Sequence, residues 1–124
     1  MRTNAAVLDK SAIGLSGLCL IHCLALPFLS AFLPLAGLVA EAEWIHKLFV
    51  LMAVPITLTA IMRNDAVSVR IPFVLTASVG LALLIAAAFI EGLHDYETTI
   101  TTTGAVLLAS AHVWRWANNH GAAE

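Results

Sequence analysis

Cys19, His22 and Cys23 stand in the run GLCLIHCLALP, where nearly every other side chain is apolar. Thiolate and imidazole are the donors that soft and borderline cations take. Spacings of three and four turn all three side chains onto about 100° of one helix face. Pro27 follows Cys23 by four residues and has no N–H for the Cys23 carbonyl. A helix here is therefore expected to bend at the cysteine and free a backbone oxygen. The bland alternative makes the cysteines small hydrophobes and gives His22 a neighbouring helix to bond. Three such groups together favour a metal site, because ionisable side chains inside a membrane are rare and costly.

Two further sets of residues offer related chemistry. His112, between Ala111 and Val113, shares its expected helix face with the small residues Ala105 and Ala109, which allow another helix to come close. It is a candidate ligand beside His22, and an interhelical hydrogen bond explains it equally well. The segments EWIH and EGLH place Glu43 with His46 and Glu91 with His94 at a spacing that aims carboxylate and imidazole alike. In di-iron helical bundles two such pairs meet in the core with two more glutamates. Here the only further candidates are Glu41 and Glu97, which together with Asp95 read as a solvated acidic rim. The candidate metal ligands are thus Cys19, His22, Cys23 and His112 at mid-membrane depth, and Glu43, His46, Glu91 and His94 nearer one surface. The threonine run TTITTTG offers hydroxyls that can cap or back-bond to a helix.

These residues must be carried by membrane helices. Of 124 residues, 60% are hydrophobic and 11% charged, with a mean hydropathy of +0.93. So little charge cannot cover the surface of a water-soluble domain, and the apolar side chains must face lipid. The apolar stretches 11–40, 44–62, 71–90 and 98–117 each reach the roughly 20 residues that a helix needs to cross a bilayer. Short polar breaks between them require an all-α, integral-membrane, antiparallel four-helix bundle in one domain, residues 1–124. The first apolar run is too long for a signal peptide and reads as a retained span. Counted from Ser11, the Cys/His trio lies roughly 12–18 Å along its helix, near mid-membrane.

Charge sets the expected direction. Arg2, Lys10, Arg63, Arg70 and Arg115 fall on the side of both termini, and of the basic residues only Lys47 falls on the other. Basic residues favour the cytoplasm, so both termini are expected there. Trp44, Trp114 and Trp116 sit near span ends, where indole rings anchor at the interface. Ser78, Ala82 and Ala86 recur every four residues and suit close helix approach, within the bundle or in a homo-oligomer. The net charge of −2 and the lack of a basic cluster exclude nucleic acid as a partner.

The segments SAIGLSGLCLIHCLALPFL, WIHKLFVLMAVP and EGLHDYE, with GAVLLASAHVWRWANNH, resemble the MerC family of small bacterial membrane proteins. The likeness runs from about Ser11 to Asn119, and its most specific part is Cys-x-x-His-Cys-x-x-x-Pro. It implies four transmembrane helices in the bacterial inner membrane, and mercuric ion passed between thiolates, with the first-span pair carried over to Cys19 and Cys23. Mercury-resistance members also carry a second cysteine pair towards the C-terminal side; both cysteines of this chain lie in the first span.

Two functions follow from these residues. A metal-ion carrier would draw a cation through the acidic rim to the buried thiols, with mercuric ion, zinc, copper or iron as cargo; no nucleophile–base pair or phosphate-binding loop argues for an enzyme. Alternatively, the bundle holds a fixed metal or a haem, the latter needing His22 and His112 at matching depth.

Overall fold

The computed structural model describes residues 2–25, 32, 43–63 and 65–120. Helix α1, Arg2–Leu20, passes into a single π-helical turn at Ile21–Ala25. Helix α2 spans Glu43–Ile61 and α3 spans Val67–Phe89. A 3-10 turn at Glu91–Tyr96 leads into α4, Glu97–His120. Among the described residues there is no strand. Consecutive helices pack side by side, and α4 closes the ring by lying along both α3 and α1.

Side-chain contacts at the two ends define the relative directions of α1, α2 and α4. Asp9, early in α1, meets His112, late in α4, while His46 in the first turn of α2 meets Glu97 at the start of α4. The fold is the all-α antiparallel four-helix membrane bundle that the four apolar stretches and their short polar breaks predict.

The bundle wears its large apolar residues outside. Leu51, Leu75 and Met62 are 68%, 63% and 80% exposed, a surface only hydrocarbon would tolerate. Its core is built largely from small side chains, among them Ala53, Ala60, Ala77, Ala105 and Ala111. In lipid there is no hydrophobic drive between helices, so close backbone approach and dispersion hold them together. Three segments are long and apolar enough to cross a membrane: Ala6–Ala25, Glu43–Ile61 and Val67–Phe89. The 24-residue α4 is about 36 Å long, enough to cross, yet composition alone does not mark it as a span. It carries His112 and Arg115, and the fold turns both completely inward, where other helices rather than lipid receive them.

Two sequence expectations change. Ser78 and Ala82 point outward and Ala86 is half-buried, so they do not form the inner seam. The buried face of α3 is instead Phe73, Ala77, Gly80, Leu81, Leu84 and Ala87. Helix α1 also opens at Arg2, ahead of residue 11, which draws Asp9 into the bundle. Glu41 and, within the 11–40 stretch, residues 26–31 (Pro27 among them) and 33–40 lie outside the described residues; the π turn ends at Ala25. One smaller expectation is met, since the Thr103 hydroxyl donates to the Thr99 carbonyl at 2.8 Å.

The tightest helix contact is between α3 and α4 at Gly80 and Gly104. A Cβ on Gly80 would stand 2.9 Å from both the Gly104 oxygen and the Leu108 nitrogen, and one on Gly104 would stand 2.9 Å from the Gly80 oxygen. These obstacles are backbone and cannot swing aside. Gly80→Ala is expected to force the helices apart and cost about 1–3 kcal/mol, read as a lowered unfolding temperature of the detergent-solubilised protein.

Candidate metal centre

The inward face of α1 steps by three and four through Asp9, Ala12, Ser16, Cys19 and Cys23, all buried. That face meets α2 and α4, so whatever it carries must find partners there. At its far end the partners are His46 of α2 and Glu97 of α4.

The Cys23 Sγ lies 2.8 Å from His46 Nε2. His46 Nδ1 lies 2.6 Å from Glu97 Oε1, and the other Glu97 oxygen stands 3.3 Å from His94 Nδ1. The His22 ring packs edge-on to His46, centroids 4.9 Å apart, with Phe49 against its other side at 6.0 Å. The ligand atoms of His22, Cys23 and His46 all lie within 4.8 Å of one another. Cys19 lies one turn earlier on the same buried face as Cys23. Both thiols are free and buried.

The π turn carries His22 and Cys23. Such a turn is wider than an α turn and is frequent at functional sites. Both side chains are 5% exposed or less. Their donor set, sulfur with imidazole nitrogen, suits a soft or borderline cation.

Two hollows flank the cluster. On the membrane-inward side lies a cavity of about 10 Å³, lined by Ser16, Cys19, His46, Phe49, Thr101 and Leu108 among others. It has room for about one water-sized guest. On the other side, an open vestibule of about 400 Å³ is lined by Glu43, Lys47, Glu91, His94 and Glu97 together with the end of α3. Glu97 borders the vestibule and His46 borders the cavity, so their hydrogen bond links the linings of the two.

The candidate residues from the sequence are thus redistributed. His46, expected nearer the surface, joins Cys19, His22 and Cys23, and the cluster lies at the end of the bundle where α2 and α4 begin rather than half-way along. Glu43 is exposed and pairs with Lys47 at 3.6 Å instead of acting with His46. Glu91 and His94 are exposed at the vestibule, and His94 turns to Glu97. Glu97, read as solvated rim, has a side chain only 17% exposed.

His112 lies elsewhere. Its Nδ1 bonds the Asp9 carboxylate at 2.8 Å, both side chains fully buried. Residues 9 to 22 of α1 span about 20 Å, so His112 and His22 do not face each other across one haem. Arg115 completes this second group: Nη1 stands 3.6 Å from Asp9 and 3.0 Å from the Ala60 carbonyl, which it bonds. Its Nε makes an ion pair with Asp65 at 2.9 Å without the alignment of a hydrogen bond. The guanidinium also lies 4.6 Å from the centre of the Phe73 ring. Asp9 and Asp65 escape a reading that begins the first span at Ser11 and leaves loops to solvent. Their signal is the three-and-four spacing of the cysteine face, continued backwards from Cys19 through Ser16 and Ala12 to Asp9.

A helical membrane protein with a buried thiol–imidazole cluster at one end is the class that this fold and site define. No curated protein and no solved structure matches the chain. Residues 9–117 match the family described as MerC mercury resistance protein, and the chain belongs to that family. It is accordingly a membrane protein of a mercury-resistance family, with a group of two histidines and a cysteine able to hold a metal ion.

Proposed function

We propose that this chain is a carrier that takes a soft cation, mercuric ion first, from one membrane surface into the bundle through Cys19 and Cys23, with His22 and His46 as auxiliary donors. It works as one domain in the bacterial inner membrane, both termini in the cytoplasm, and performs no chemical conversion. The observation that carries the reading is the 2.8 Å approach of Cys23 Sγ to His46 Nε2, with His22 beside it and Cys19 one turn below. Thiols must lose their protons to bind a metal, and the metal itself drives that loss.

The vestibule supports a direction. Its acidic lining, Glu43, Glu91 and Glu97, attracts cations to the end that holds the cluster. Lys10, Arg63 and Arg70 belong to the opposite end, which supports placing that end in the cytoplasm. His94 and Glu91 then serve as the first residues an arriving ion meets, and His112 as a residue of the far end.

The test is a titration of the detergent-purified chain with mercuric ion in competition with a small thiol. One ion per chain is expected for the native protein, and none retained by the Cys19→Ser/Cys23→Ser variant. A stoichiometric ion in that variant would overturn the proposal. So would zinc, copper or iron held tightly at one per chain as isolated, which would make the protein a fixed-site metalloprotein.

A further inference from the structure

Glu97 touches both the buried cluster and a residue of the open vestibule: one oxygen lies on His46 and the other on His94. We infer that Glu97 is a positioning residue for the metal site, acting through His46. The inference rests on the carrier reading, and its chemistry follows from donors and acceptors alone.

A carboxylate only accepts hydrogen bonds. At 2.6 Å from Glu97 Oε1, His46 Nδ1 must therefore be the nitrogen that carries the proton and donates. Neutral imidazole has one N–H, so Nε2 is left with its lone pair. Nε2 is the atom that faces Cys23 Sγ, where it accepts from the thiol before an ion arrives and is free to donate to the ion afterwards. Without Glu97, His46 Nδ1 has no acceptor for its proton among the described residues, and the ring loses the anchor that sets its rotation. The His46 side chain is 13% exposed and that of Glu97 17%, so water competes poorly for the bond. Carboxylates that orient ligating histidines in this way tune metal affinity by about 10–100-fold.

Position in the chain explains why Glu97 can do this. It is the first residue of α4, where a helix start favours a negative side chain, and the preceding 3-10 turn brings His94 round to its second oxygen. Thr101, Ala105, Leu108 and His112 follow at intervals of three and four and are buried, so α4 presents Glu97 inward by the same face that carries its core.

Mercuric-ion competition titrations of the purified full chain test the inference with Glu97→Ala, Glu97→Gln, His46→Ala and the His46→Ala/Glu97→Ala double variant. A positioning role predicts an affinity loss of about 10–100-fold for Glu97→Ala. Glu97→Gln should stay within about threefold of native, since its amide oxygen still accepts from Nδ1. The double variant should bind no more weakly than His46→Ala, because Glu97 has nothing left to orient. Native affinity in Glu97→Ala overturns the inference, as does equal loss in the Gln and Ala variants, which would make the charge itself the agent. Additive losses in the double variant overturn it too. Glu97→Gln also guards against misfolding, since it keeps the helix start polar. If Cys19→Ser/Cys23→Ser keeps its ion, the carrier reading has failed instead; if that variant is empty and Glu97→Ala is native-like, only the positioning role has.

Discussion

Replacing Asp9 by alanine is expected to be the most destabilising single change in this protein, by about 3–5 kcal/mol. The Asp9 and Arg115 side chains are fully buried, and Asp9 is the carboxylate that both Arg115 and His112 approach. Removing it leaves a buried guanidinium with Asp65 as its remaining ionic partner, and an imidazole Nδ1 with no acceptor. The loss exceeds that of one hydrogen bond because the desolvated cation persists after its partner has gone. Denaturant unfolding of the solubilised protein, followed by circular dichroism, measures it. A companion variant separates charge from packing. Changing Asp9, Asp65, His112 and Arg115 together to apolar residues of similar size should recover most of the stability, since no charge of the group is then left unpaired. A loss below about 1 kcal/mol for Asp9→Ala would mean that water reaches this group.

Serine at both Cys19 and Cys23 is expected to reduce mercuric-ion uptake by whole cells to that of cells lacking the protein. The substitution changes one atom per residue, so the packing of α1 is nearly conserved. What it removes is the soft donor: a hydroxyl neither ionises readily nor favours a soft cation. The single variants should differ. Cys23 touches His46 and lies within reach of His22, whereas Cys19 borders the small cavity one turn deeper. Cys23→Ser should therefore impair capture of the ion, and Cys19→Ser its onward movement after capture. Uptake at various external mercuric concentrations distinguishes these: a raised half-saturation for the first, a lowered maximum for the second. Membrane levels of each variant must match the native chain. Native uptake in the double variant would remove the thiols from the path.

The amino-acid sequence by itself determined the four helices, their residence in lipid and the shared face of Cys19, His22 and Cys23. These are local properties: apolar length and a period of 3.6 residues are legible within one segment. Partnership between segments is not local. Each residue added to a helix turns its face by 100° and advances it by 1.5 Å, so the rotation and stagger of whole helices decide which groups meet. His46 and His112 illustrate the difference, since the sequence reads His112 as a candidate ligand beside the trio and His46 as one of a separate group nearer the surface. Tertiary structure brought His46 to Cys23 and set His112 on Asp9, toward the other end of the bundle. Glu97 depended on it most. On a solvated rim it would be one acid among several, and only the assembly of the bundle, which brings the start of α4 to the first turn of α2, sets its carboxylate on an imidazole in a site sheltered from water.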